Sequence, residues 1–228
     1  MKSFTRRKLL GAGTAGVLFQ PACASGAPEP KPQPKPSKAE EFAGRVLEDI
    51  GAGLRGSLSY IGDRLGIFRA MAGAGPLTVE ELARKTSLHS RYLREWLGAM
   101  VAAQYVEYRP DAKTYFLPPE HAAVLADEES AQFLGGLLEF LGAAAVVAPK
   151  VAAAFRTGKG VAYSEYPPDI FEGIARSSAP GFKHQLAQKW IPAMPQVEAR
   201  LREGGSALDV GCGHGLASLT LAKTFPKA

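Results

Sequence analysis

The residues best placed to do chemistry lie in Ser206-Ala-Leu-Asp-Val-Gly-Cys-Gly-His-Gly-Leu-Ala-Ser-Leu-Thr-Leu-Ala222. Ala207 to Val210 reads as a short buried strand, Gly211-x-Gly213-x-Gly215 as a tight turn, and Leu216, Leu219 and Ala222 as the start of a helix. Strand, glycine loop and helix form the entry unit of a nucleotide-type α/β fold, where a ligand lies against the loop and the helix N-terminus. Small residues are needed because a side chain would stand between the main chain and the ligand. Leu216 occupies the third-glycine position of a dinucleotide fingerprint, and no Lys-Ser/Thr pair follows the loop as in a phosphate-binding P-loop. Cys212 as a nucleophile and His214 as a general base both lack a partner at useful spacing, so each reads better as a polar loop residue. Tyr163, Tyr166 and His184 read as packed aromatics and a surface histidine in preference to cavity-lining groups.

With Asp209 placed just ahead of the loop, Leu-Asp-Val-Gly-Cys-Gly-His-Gly215 resembles the first motif of class I S-adenosylmethionine-dependent methyltransferases. That resemblance implies that Asp209 helps position the methionine amino group. It also implies that the backbone at Gly211, Cys212, Gly213 and Gly215 lies along the methionyl and ribose portion of S-adenosylmethionine. Over about 45–228 the chain looks like bacterial relatives of small-molecule O-methyltransferases, which implies a small-molecule methyl acceptor and a front domain that serves homodimerisation. No acceptor-activating base is assigned. The acidic residue that would hold the ribose hydroxyls lies roughly 20 residues beyond the loop, past Ala228. A lone strand also cannot bury itself. The expectation is therefore a truncated, inactive chain in which 207–210 is poorly supported unless it pairs elsewhere.

Upstream, Val46, Leu47, Ile50, Leu54, Leu58, Ile61, Leu65 and Phe68 recur at helical spacing. Gly73-Ala-Gly75-Pro76 ends that run, and Thr78-Val-Glu-Glu81 is a capping box opening a short helix to about Lys85. A longer helix follows over roughly 90–104, striped by Leu93, Trp96, Leu97, Met100 and Val101. Tyr105–Tyr108 and Thr114–Leu117 then read as a hairpin across the turn 109–112. Helix, helix-turn-helix and hairpin is the order of a winged-helix domain. Residues 57–118 carry eight basic and six acidic side chains, which argues against the alternative of a DNA-binding module. Between 119 and 203 the pattern is helical, with breaks expected at Pro149, Gly158, Pro167-Pro168, Pro180, Pro192 and Pro195. The apolar run Phe140–Ala148 is too short to span a bilayer and reads as core or subunit interface.

The 228 residues carry 27 Lys and Arg against 22 Asp and Glu, a formal charge of +5. Four of those charges are Lys2, Arg6, Arg7 and Lys8, and the stretch 39–228 holds 20 basic and 21 acidic groups. The basic excess therefore does not belong to the folded body, and nucleic acid is disfavoured as a partner. Thr5-Arg-Arg-Lys-Leu-Leu10, an apolar run and Ala22-Cys-Ala24 resemble a twin-arginine export signal over 1–24, implying a periplasmic or extracellular location if the leader is used. Residues 25–40 read as a Pro/Lys-rich linker. Cys23 and Cys212 are the two cysteines, too few for a disulfide framework or a zinc cluster, so no metal is expected. The expected fold class is mainly α with a winged-helix β-hairpin, plus the first β-α unit of an α/β Rossmann-like methyltransferase domain. Its expected divisions are a winged-helix-like domain over 41–118, a helical connector over 119–203 and the start of the Rossmann-like domain over 204–228, with no transmembrane helix in the mature chain. The remaining alternative is a non-catalytic exported helical protein that self-associates through apolar faces around Leu134–Val147.

Overall fold

The computed structural model describes residues 35–228. The export-signal reading, Cys23 and most of the proline-rich segment lie outside the described residues. In the short unit that ends at Glu41, Ser37 and Glu40 cap the first helix: the Ser37 N–H donates to Glu40 Oε2 at 2.7 Å, and the Glu40 N–H donates to Ser37 Oγ at 3.3 Å.

Helix α1 spans Lys38–Arg64. The sequence pattern predicts one continuous stripe to Phe68, but Gly66 adopts a left-handed conformation (φ 67°) and starts a separate short helix α2, Ile67–Met71. The face of α1 that is buried is also not its apolar one. Ser59, Gly62 and Asp63 are buried, whereas Leu47, Ile50 and Leu54 are exposed. The small residues admit the neighbours closely: the Trp96 indole N–H donates to the Leu58 carbonyl at 2.8 Å, and the Phe68 and Trp96 rings meet edge-on at 5.1 Å. The apolar stripe toward the start of α1 finds no such cover among the described residues.

The winged-helix pattern is realised by α3 (Val79–Thr86), α4 (Ser90–Ala102), β1 (Glu107–Arg109) and β2 (Thr114–Phe116), the strands pairing antiparallel with Tyr108 opposite Tyr115. The capping box forms as the sequence predicts: the Glu81 N–H donates to Thr78 Oγ1 at 3.2 Å and the Thr78 N–H donates to Glu81 Oε2 at 2.8 Å. Thr78→Ala should cost about 1 kcal/mol of unfolding free energy, measurable by urea titration. The backbone and hydroxyl bonds from Thr78 hold the Glu81 carboxyl below the usual carboxylate range. A depressed carboxyl stabilises the fold fully above its unfolded pKa, about 4.3, and that contribution is lost as the pH falls through the lower folded value. Leu82, Leu93, Trp96, Leu97 and Met100 join Ile67, Phe68 and Met71 in the core, so the predicted stripe of α4 is the buried face.

Helix α5 (Pro119–Leu125) leads to α6 (Gly135–Thr157), which packs along α7 (Pro168–Gly181). The expected break at Pro149 does not occur. Pro149 is carried inside α6: it forfeits one backbone bond, and the residues around it are exposed, so water can take the carbonyl left without a partner. The helix therefore extends well past Phe140–Ala148, and it is long and apolar enough to cross a membrane by length and composition. Its Glu139, Ala143 and Val147, however, form a buried face, and Glu139 is ion-paired. Gly158 ends the helix in a left-handed conformation as expected (φ 68°), and Pro168 and Pro195 open helices. Pro180 also sits inside a helix, and the chain continues past it as a π-helical stretch, Phe182–Trp190. Proline lacks the N–H for one α-helical bond, and a wider helical turn is one way to re-register the ladder.

One arginine ties these elements together. Arg176 on α7 donates from Nη1 to Asp63 Oδ2 (2.8 Å) and Glu139 Oε2 (2.6 Å), and from Nη2 to Asp63 Oδ1 (3.0 Å) and Glu128 Oε1 (2.7 Å). The Phe133 ring lies 5.3 Å from its guanidinium carbon. Arg64 and Arg69 also reach these carboxylates, Arg64 to Glu139 and Arg69 to Asp63 and Glu128. The hydrogen bonds to Asp63 are the largest of the effects that hold the Arg176 proton more tightly than usual, against the opposing pull of burial.

The last elements are α8 (Pro195–Arg202) and α9 (Leu216–Thr224). A small second core of Ile191, Leu201 and Phe225, with Leu186 and Leu221 against it, fixes α9 to the π-helical stretch and α8. The strand expected at Ala207–Val210 is not formed. The segment is irregular, Leu208 and Val210 are exposed, and the sheet among the described residues is β1–β2. A strand exists only through pairing, and 207–210 has no backbone partner among the described residues.

Candidate functional site

The glycine loop connects that irregular segment to α9. Gly211, Gly213 and Gly215 all have positive φ (74°, 53° and 72°), a region that L side chains enter at a cost. A Cβ added at any of the three would meet nothing within 4 Å, so the glycines keep open space in front of the main chain. The Gly215 N–H donates to the Cys212 carbonyl at 2.8 Å, closing the turn, and Gly215 is the N-cap of α9. The first N–H groups of α9 thus emerge at the end of a loop without side-chain bulk, an arrangement that favours anionic or electron-rich groups.

Asp209 is exposed beside this loop, and its Oδ2 accepts a hydrogen bond from Ser218 Oγ on α9 at 3.0 Å. Asp209 and the loop are thereby tied together even though the strand between core and loop is absent. Ser218 was not legible as a site residue in the sequence; its only signal is its place in the first turn of the helix after the loop.

Facing the loop from α7 is a cavity of about 230 Å³, lined by Phe171, Ile174, Ser178 and Phe182 together with Cys212 and His214. Tyr163 also lines it, its ring 4.5 Å from that of Phe171. Of the three residues flagged as packed aromatics and a surface histidine, Tyr163 therefore does reach the loop. His184 does not: it is exposed, and its Nε2 is 2.8 Å from the Glu129 carbonyl. Cys212 is a free, exposed thiol. His214 Nδ1 lies 3.7 Å from Glu172 Oε2, with both side chains about half exposed, so the pair is worth little in energy. Glu172, Phe171 and Phe182 were missed from the sequence, since nothing local marks which face of α7 a loop forty residues later will meet. No group of three or more His, Cys, Asp or Glu side chains among the described residues is placed to hold a metal ion.

Residues 55–127 match the family model described as the Rv2258c-like winged HTH domain. Comparison with curated protein sequences gives no match. Among solved structures, the chain resembles a candidate O-methyltransferase from Nostoc punctiforme (22% identity, TM-score 0.55), covering 86% of this chain and 55% of that one. It resembles human N-acetylserotonin methyltransferase in complex with S-adenosylmethionine (20% identity, TM-score 0.51; 84% and 59%). It also resembles a mitomycin 7-O-methyltransferase (18% identity, TM-score 0.50; 83% and 57%). The chain thus spans little more than half the length of each of these structures. At these identities the likeness is one of fold, over a winged helix-turn-helix domain and the helices that follow it.

Proposed function

We propose that this chain is an S-adenosylmethionine-binding protein of the O-methyltransferase type, with a small molecule as the methyl acceptor. The observation that carries the reading is the loop Gly211–Gly215: three left-handed glycines with open space before them, adjoining the exposed Asp209 carboxylate and the N-terminus of α9. These residues fit the cofactor. The Asp209 carboxylate has the charge to hold the methionine ammonium group, and the glycine backbone and the α9 N–H groups offer contacts free of side chains. When bound, S-adenosylmethionine supplies an electrophilic methyl group on a sulfonium. Ser218 holds Asp209 through its hydroxyl, and Phe171, Phe182 and Tyr163 give the facing cavity aromatic walls suited to orienting an acceptor. The structural neighbours named as methyltransferases support the same reading.

Titration of the full chain with S-adenosylmethionine, followed by amide NMR, tests this. Saturable shifts at 211–218 in the millimolar range are expected, lost in Gly213→Val and weakened in Asp209→Ala. Millimolar cofactor that leaves the loop amides unmoved would sink the proposal.

The winged-helix region serves self-association in this reading, not nucleic-acid binding. Arg94 on α4 is engaged with Glu80 at 3.4 Å, while α1 exposes Phe42, Leu47, Ile50 and Leu54 in one apolar stripe, a surface of the kind that marks protein contacts. Sedimentation should show a homodimer, and Leu47→Glu with Leu54→Glu should return it to monomer. Export through the twin-arginine-type leader at 1–24 belongs to the same proposal; secretion of a reporter fused behind that leader, lost on Arg6→Lys with Arg7→Lys, tests it.

A further inference from the structure

A second pocket, remote in sequence from the glycine loop, lies on the winged-helix domain where α4 gives way to β1. It encloses about 390 Å³ between the turn at Gln104 and Tyr105, His121 and Val124 on α5, and Leu134 and Leu138 at the start of α6. That volume falls in the range of small-molecule sites, about 300–1,000 Å³, and apolar walls with a few polar groups are the usual make-up of such sites.

Two features distinguish it from an incidental surface dent. The first is Gln104. Its φ is 63°, and it follows the C-cap of α4, with its N–H donating to the Val101 carbonyl at 3.0 Å and the next N–H, of Tyr105, to the Met100 carbonyl at 2.9 Å. These two bonds are those of a helix C-cap that takes a left-handed residue, a place glycine usually fills and a glutamine fills here. Gln104 is one of the residues lining the pocket. The second is His121. Its Nδ1 is 2.9 Å from the Tyr105 carbonyl. A carbonyl can only accept, so Nδ1 carries the proton and, in the neutral ring, Nε2 is left as an acceptor. A glutamine and a histidine with a fixed tautomer therefore stand at an otherwise apolar wall.

We infer that this pocket is a binding site for a small, neutral, mainly apolar molecule bearing one hydrogen-bond donor, which His121 Nε2 accepts. Nothing in the methyl-transfer reading uses this site, so the two proposals stand or fall separately.

Indole, which has an apolar body and a single N–H, serves as the probe, with N-methylindole as the same shape lacking the donor. Amide and histidine ring NMR of the full chain should show saturable, indole-dependent shifts at Gln104, Tyr105, His121 and Val124. N-methylindole should bind about tenfold more weakly, the loss of one hydrogen bond, and His121→Phe should remove that difference. The proposal is overturned if indole causes no saturable shift, or if both probes bind alike to the unmodified chain. It is also overturned if the pocket resonances follow protein concentration and not indole, which would show that a second copy of the chain covers the pocket.

Discussion

Replacing Arg176 by methionine is expected to destabilise the fold by about 3–5 kcal/mol, the usual consequence of removing one member of a buried ion cluster. Asp63 and Glu139 are both nearly inaccessible, with side chains 3% exposed. Without the guanidinium each would keep a desolvated charge with weaker compensation, since Arg64 and Arg69 approach only to 3.4 and 3.6 Å. Glu128 is about half exposed, so water replaces most of what it loses. Urea unfolding of Arg176→Met measures the effect, and a change under 1 kcal/mol would show that the cluster is not a buried one in solution. Adding Asp63→Asn and Glu139→Gln to the same chain should recover much of the loss. The penalty comes from charges left unpaired, and a neutral trio of similar volume carries no such charges.

A Cβ added at Gly173 is expected to have a comparable effect by a different route. Here α6 and α7 approach so closely that the new atom would lie 2.6 Å from the Phe140 nitrogen and 2.8 Å from the Gly136 carbonyl oxygen. Both are backbone atoms of α6. No rotamer change relieves the contact, and the helices must part. Overpacking costs about 1–3 kcal/mol even where side chains can yield, so Gly173→Ala should reach or exceed the top of that range. It should also loosen Arg176, which lies on the same helix less than one turn further on. Gly53→Ala on α1 is the control, because its Cβ would meet nothing within 4 Å. In that exposed helix interior the substitution should stabilise by roughly 0.5–1 kcal/mol. Thermal melts of the two variants should therefore move in opposite directions, and a Gly173→Ala protein as stable as the parent would contradict the close crossing.

Local signals were legible where chemistry and geometry lie within a few residues of each other. The Thr78/Glu81 capping box, the buried stripe of α4, the left-handed Gly158 and the three-glycine loop are all decided by neighbours in the chain, and each is found where the pattern puts it. The α1 stripe was legible as a helix but not as a surface. Periodicity shows that Val46, Leu47, Ile50 and Leu54 share a face, and says nothing about whether another element covers it.

The amino-acid sequence by itself therefore determined the helices, the hairpin and the identity of the loop residues, because caps, periodicity and left-handed glycines act over one turn. Only the tertiary structure decided that Arg176 would gather Asp63, 113 residues away, with Glu139 and Glu128, and that α6 would run unbroken past Pro149. It alone decided that Ala207–Val210 would remain unpaired and that Phe171 and Glu172 would face the loop. The physical reason is the same in each case. Burial, pairing of charges and strand formation depend on the partner brought alongside, and no residue encodes its partner's position.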